Sequence, residues 1–332
     1  MNDNNYKKID NNKKIEYLIR ARYPIIYLVS SEENRVENTL KNIASLRSKK
    51  IFFWSITKGM ETEDGNCITD LREPLKALDY IEELDENGIF ILRDFHPYLN
   101  DPVVIRKLRD LNKVLKMRFK NIILLSAILK IPPEIEKEAV VVDFDLPSRE
   151  ELNIIVESVL RSVENPSGIE IFDNVNKREK ILEAALGLTS EEAENVFAKS
   201  LVQSGQFDVD IILSEKEQII RKSGVLEFYK TSENISDVGG LEHLKTWLQK
   251  RTLAFTKDAR DFGLPQPKGI LLIGIPGCGK SLTSKAISSL WQLPLLKLDV
   301  GKVFSSLVGS SEENVRKAII TAESIAPSIL WL

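Results

Sequence analysis

The chain has 332 residues, of which 43% are hydrophobic and 29% charged, a length and balance that predict a globular protein of two domains, each able to bury its own core. A formal net charge of −3 provides no basic stripe for DNA or RNA, so no nucleic-acid partner is expected. Two cysteines, Cys67 and Cys278, and two histidines, His96 and His243, are too few for a disulfide framework or a His/Cys metal cluster, and no apolar run is long enough to predict a membrane span.

The first segment, Met1 to Lys14, is rich in Asn, Asp and Lys and lacks an apolar signal core, so neither secretion nor import is predicted from it. Short apolar runs follow at Ile25 to Val29 (IIYLV), Ile51 to Ile56 (IFFWSI), Ile89 to Leu92 (IFIL), Ile122 to Leu125 (IILL) and Val140 to Phe144 (VVVDF). Such β-branched or aromatic runs are the pattern of strands buried on both faces of a parallel sheet. Ile105 to Phe119 has apolar residues at helical spacing and a basic face that reads as solvated surface. Strand–helix alternation predicts a layered α/β domain over 1–147.

From Pro147 the pattern is helical. Ser148 with Glu151 predicts a capping box, as does Thr189 with Glu192. Between them a helix is predicted over Lys177 to Leu186, ended by Gly187. Ser214 with Glu217 predicts a further helix start, with an end near Gly224. These helices predict a lid-like subdomain over 148–225. A charged connector, Thr231 to Ser236, then leads into a second α/β unit over 226–332.

The sharpest motif is Gly274-Ile275-Pro276-Gly277-Cys278-Gly279-Lys280-Ser281, a complete G-x-x-x-x-G-K-[ST]. Gly269 to Ile273 (GILLI) is the predicted buried strand before it, and Leu282 to Leu290 the helix after it. Phosphate binding needs this spacing. Glycines let the backbone wrap the anion with N–H groups inward, and the helix start presents its positive dipole end to the same place. Lys280 is then placed to reach the β- and γ-phosphates of ATP, and the Ser281 hydroxyl to bind Mg²⁺. The fold class that follows is α/β, a P-loop NTPase-like parallel sheet with flanking helices, preceded by another α/β domain. Cys278 sits among the inward N–H groups and is the one candidate for redox sensitivity, although a small residue is ordinary there.

The flanks of this loop resemble the AAA family of ATPases. Asp237-Val238-Gly239-Gly240-Leu241 is similar to the segment that lies beside the adenine in that family, so the resemblance implies Asp237, Val238, Gly239 and Gly240 as adenine-proximal residues. Pro267-Lys268-Gly269 leads into the loop strand as AAA sequences do. Val308-Gly309-Ser310-Ser311-Glu312 and Asn314-Val315-Arg316 resemble the stretch after the second strand, and Ala326 to Leu332 (APSILWL) the strand that carries the Walker B acids. The resemblance covers Asp237 to Leu332. Its wording is most similar to AAA proteins encoded in red-algal plastids and cyanobacteria, which implies a plastid stroma or otherwise a cytoplasm. It also implies ATP and Mg²⁺ as cofactors, a protein substrate, and a homo-oligomeric ring of six subunits that complete one another's sites.

Two departures qualify the resemblance. AAA motors commonly place an aromatic residue before Val-Gly in the pore loop, where this sequence has Leu307. The family's Asp-Glu pair should follow the Walker B strand at once, yet Leu332 is the last residue here, so no catalytic residue is assigned within the chain. The expectation is the front part of a longer protein. In the family's strand order, 5-1-4-3-2, the P-loop strand would lie between strands 5 and 4.

In the first domain, Ile25 to Val29 runs into Ser30-Ser31-Glu32-Glu33-Asn34-Arg35, where a phosphate loop would belong. That segment has no glycine and no Lys-Ser pair, and its two carboxylates would repel phosphate. Leu92-Arg93-Asp94 echoes a Walker B end with Arg interposed, and Phe144-Asp145-Leu146-Pro147 resembles the entry to an AAA lid. The domain reads as a degenerate AAA module, the alternative being an unrelated α/β domain of the same strand count. Asp94 and His96 read as loop residues rather than an acid–base pair. For the whole chain the leading expectation is an ATP-driven protein-remodelling ATPase. The alternative is an ATP-binding scaffold without turnover.

Overall fold

All five apolar runs of the first half form strands, because β-branched and aromatic side chains fill both faces of a covered sheet. The structure, a computed structural model, describes residues 11–162, 175–222, 226–229, 233–255, 259, 262–265, 267–291, 293–301, 310–326 and 328–332. It divides into two units, Met1–Asp145 and Leu146–Leu332. In the first, β1 (Ile25–Val29), β2 (Lys50–Ser55), β5 (Gly88–Arg93), β6 (Asn121–Ser126) and β7 (Ala139–Asp143) are parallel. An antiparallel pair, β3 (Gly59–Thr62) and β4 (Cys67–Ile68), extends the sheet beyond β2. The strand order is β4-β3-β2-β5-β6-β1-β7. Numbered among themselves, the parallel strands run 5-1-4-3-2, the order that the AAA resemblance implies.

Alternation along the strands sends Tyr27, Trp54, Phe90 and Leu92 to one face, and Ile26, Leu28, Phe53, Ile89 and Ile91 to the other. Helices α3 (Pro74–Glu83) and α4 (Pro102–Met117) cover the first face through Leu78, Ile81, Leu108 and Leu111. Helices α1 (Asn11–Arg20) and α2 (Glu33–Leu46) cover the second through Ile15, Ile19, Val36 and Leu40. Each such buried side chain contributes about 1.5–3 kcal/mol, which is why both faces stay covered. α4 begins earlier than its apolar spacing suggests. Asp101 caps it by accepting from the Val103 N–H at 2.8 Å, and Pro102 follows at the first helical position. The β3–β4 pair was not predicted. It depends on Gly59, at φ 81°, where a Cβ would meet the Ile68 carbonyl oxygen at 2.3 Å.

In the second unit both predicted capping boxes form. The Glu151 N–H donates to Ser148 Oγ at 3.2 Å, and the Glu192 N–H donates to Thr189 Oγ1 at 3.2 Å. They start α5 (Arg149–Arg161) and α7 (Ser190–Ser204), with α6 (Val175–Ala185) between them and Gly187 at φ 90° just beyond it. The predicted start at Ser214 is corrected, since α8 (Val209–Lys222) already runs through it. Asp208 makes the real turn, its Oδ1 accepting from the Asp210 N–H at 2.8 Å, so that Ile212 can be buried. Gly224 lies outside the described residues.

A second sheet, ordered β10-β9-β8, joins β8 (Leu226–Tyr229), β9 (Leu295–Leu298) and β10 (Ile329–Trp331). β9 and β10 are parallel, and β8 is antiparallel to β9. Around it lie α9 (Glu242–Thr252), α10 (Lys280–Trp291) and α11 (Ser310–Ser324). The buried strand predicted over Gly269 to Ile273 is also corrected. This segment has no ladder partner among the described residues, and Leu271 and Ile273 are 83% and 86% exposed. An apolar run becomes a strand only where neighbours supply hydrogen bonds and cover, and no described strand lies beside this one. Leu307, with Val308 and Gly309, falls outside the described residues. Among those described, no helix is long and apolar enough to cross a membrane.

Candidate nucleotide-binding site

The Gly-rich loop is shaped by backbone that other residues would resist. Gly277 and Gly279 hold φ 83° and 87°, and a Cβ on Gly274 would come within 2.5 Å of Cys278 Sγ. The loop closes on itself through the Cys278 N–H, which donates to the Ile275 carbonyl at 3.4 Å. It ends where α10 begins, at Lys280, and the first N–H groups of a helix have no intrahelical acceptor. Thr283, Ala286, Ile287 and Ser288 are buried and seat the inner face of α10, while Ser281 is exposed in its first turn. Lys280 Nζ turns back to donate to the carbonyls of Gly274 at 2.9 Å and Ile275 at 2.8 Å, with Cys278 Sγ 3.7 Å away. These acceptors are uncharged. A phosphate would displace them, because hydrogen bonds to ionised acceptors are about twice as strong. Cradle, lysine and helix terminus together therefore fit a nucleotide triphosphate tail.

The segment singled out for the adenine side packs against α10. A 3-10 turn over Ile235–Asp237 is closed by the Asn234 N–H donating to Asp237 Oδ2 at 2.7 Å, so this carboxylate shapes its own turn. Val238 is buried, and the chain swings into α9 through Gly240 at φ 65° and Leu241 at φ 56°. Lys285 Nζ on α10 meets Glu233 Oε1 at 3.0 Å, and Trp291 Nε1 donates to the Leu248 carbonyl of α9 at 3.2 Å. Glu233, Lys285 and Trp291 were missed in the sequence. Contacts between residues some fifty positions apart leave no local motif to read.

The corresponding position in the first unit has the opposite charge. Beyond β1, Glu32 is buried at the start of α2, its N–H on Ser30 Oγ at 3.0 Å and its carboxylate on Arg35 at 2.6 Å. Burial, and then the Asp94 carboxylate nearby, push Glu33 up. At the end of β5, Arg93 meets Glu37 at 2.5 Å and Glu61 at 3.1 Å; burial opposes its charge, but the two carboxylates outweigh this and raise its pKa. Asp94, at φ 47°, lies 3.9 Å from His96 Nδ1, and the same nitrogen is 2.8 Å from Ser126 Oγ. One ring nitrogen facing both groups cannot relay a proton between them. A triphosphate would meet carboxylates here and find no glycine cradle.

Comparison with known families divides the chain along these lines. Residues 11–144 match the SpoVK-like AAA ATPase, N-terminal domain, and residues 150–223 its second domain. Residues 270–332 match the ATPase family associated with various cellular activities (AAA). The chain belongs to the AAA ATPase family. Among its relatives, the AAA domain-containing protein ycf46 of Gracilaria tenuistipitata var. liui is 40% identical over 329 residues, covering 97% of this chain and 65% of the relative. The ycf46 protein of Pyropia yezoensis is 39% identical over 324 residues, covering 96% and 65%. This AAA chain thus spans about 65% of the length of these relatives. The ATPase family protein 2 homolog of Caenorhabditis elegans is 34% identical over 128 residues, 36% of this chain and 17% of that protein.

Proposed function

We propose that this AAA chain binds MgATP in its second unit and that the whole protein uses ATP turnover to remodel a protein substrate. The observation that carries this is a glycine loop with two positive-φ residues ending at Lys280, the first residue of a helix. In this reading the backbone of Gly274, Ile275, Pro276, Gly277, Cys278 and Gly279 wraps the phosphates. Lys280 moves from its two carbonyls to the β- and γ-phosphates, and Ser281 holds Mg²⁺. Asp237, Val238, Gly239 and Gly240 line the adenine side, tied to α10 through Glu233 and Lys285. Bound Mg²⁺ supplies charge neutralisation between the phosphates.

Residues 1–147 and 148–225 are read as a degenerate AAA module with its helical lid, and 226–332 as the ATP-binding module. The 5-1-4-3-2 strand order supports the first assignment. Family membership supports a homo-oligomeric ring, here proposed as a hexamer, and the ycf46 relatives support a plastid setting, here proposed as the stroma.

The test is a calorimetric titration of the full chain with MgATP. Lys280→Ala should weaken binding by one to two orders of magnitude, because it removes a charge-assisted contact worth about 1.5–3 kcal/mol. Unchanged affinity would remove the phosphate-loop assignment. Binding without turnover by the whole protein would make it a nucleotide-responsive scaffold instead.

A further inference from the structure

Helices α1, α2 and α4 all end at one edge of the first sheet, where β1, β2 and β6 begin. The chain there reads Arg20-Ala21-Arg22-Tyr23, Leu46-Arg47-Ser48-Lys49-Lys50 and Lys116-Met117-Arg118-Phe119. Each turn stops its helix the same way. The residue two past the helix end takes positive φ (Arg22 60°, Ser48 50°, Phe119 56°), and the next N–H returns to a carbonyl five residues back.

The turns are joined into one surface. The Arg22 guanidinium lies 4.1 Å from the centre of the Phe119 ring. Lys49 Nζ donates to the Phe119 carbonyl and to Asn121 Oδ1, and Asn121 Nδ2 donates to the Tyr23 carbonyl at 2.7 Å.

Apolar side chains project from this surface: Met117 is 81% exposed and Leu46 74%, and Tyr17, Tyr23 and Phe119 are more than two-fifths exposed. Around them stand Arg20, Arg22, Arg47, Lys49, Lys50, Lys116 and Arg118. The neighbouring carboxylates are fewer: Glu16 pairs with Arg47 and Glu86 with Lys50, which offsets those two cations, Glu82 pairs with Lys107, and Asp85 acts on Lys120. Cations at helix C-termini complement the helix dipole, and that accounts for part of the charge. It does not account for Leu46 and Met117, which stand in water among those cations. Apolar tips ringed by Arg and Lys have the composition of a surface that lies on a membrane.

We propose that this edge docks the protein peripherally on an anionic lipid bilayer. Leu46, Met117 and Tyr23 enter the interface, and the Arg and Lys side chains take the lipid phosphates. Lipid fits better than single-stranded nucleic acid, because the most exposed apolar side chains, Met117 and Leu46, offer no ring for base stacking and Arg22 covers a face of Phe119, so only the half-exposed Tyr17 and Tyr23 could stack.

Co-sedimentation of the full chain with phosphatidylcholine vesicles, with and without phosphatidylglycerol, tests this. Binding is expected only with the anionic lipid, and it should fall as salt is added. The double variants Leu46→Ser with Met117→Ser, and Arg20→Ser with Lys116→Ser, should each lower partitioning about tenfold. Both pairs are exposed, so their thermal melts should fall only slightly, through lost helix-dipole and helix-propensity contributions, and confirm that folding is intact. Three results would overturn the proposal: no partitioning onto anionic vesicles, equal partitioning of the variants, or salt-sensitive binding to single-stranded RNA in place of vesicles.

Discussion

Lys216 on α8 is 5% exposed, and its Nζ donates to the Ala184 carbonyl at 3.2 Å. Burial pushes this lysine down to about 8, whereas an unfolded lysine titrates near 10.4. Between those values the unfolded chain holds more protons, so stability rises with pH across that window. Below it the full cost of the buried ammonium remains, on the order of 3 kcal/mol. Lys216→Met should therefore melt higher than the wild type at about pH 7, with the difference closing towards about pH 10. Lys49, also pushed down to about 8 by burial, should leave some slope in the variant. A melting difference that stays constant with pH would show that Lys216 is not the titrating group.

Burial also pushes Lys120 down, but its Nζ donates to the carbonyls of Ile81 and Leu84 at the end of α3 and faces the Asp85 and Glu82 carboxylates, so this buried cation caps a helix C-terminus.

At the scale of elements, local caps set where the lid helices begin. Removing the Thr189 hydroxyl by Thr189→Ala should cost about 1 kcal/mol, read as a lower urea midpoint with unchanged slope. A longer-range tie holds the adenine-side turn to α10 through Glu233 and Lys285, both partly buried. Ion pairs of this exposure contribute up to about 1 kcal/mol, so Lys285→Met should weaken MgATP binding up to about fivefold, and Lys285→Arg should restore most of it. Equal affinities for all three proteins would make the pair structural only.

Across the whole molecule, the two candidate phosphate loops carry opposite charge, Lys280 in one unit and Glu32 and Glu33 in the other. A ligand that binds only the folded state stabilises it by about 2.7 kcal/mol at a hundredfold excess over its Kd. MgATP should thus raise the melting temperature of the full chain. Lys280→Ala should remove most or all of that rise at the same concentration. A large rise left unchanged by the substitution would mean that the first unit holds a site of its own, against the carboxylates at Glu32 and Glu33.

What the sequence determined by itself was local. Capping boxes and the Gly274 to Ser281 spacing are each complete within a few residues, so backbone sterics and near-neighbour hydrogen bonds decide them before any packing. Tertiary structure decided what depends on a distant partner. Gly59 becomes intelligible only when Ile68 crosses it, and the start of α8 only when Ile212 finds a core. Gly269 to Ile273 shows the same limit from the other side. Its residues have every local mark of a strand, but a strand is made by the hydrogen bonds of its neighbours, and those are never written in the strand itself.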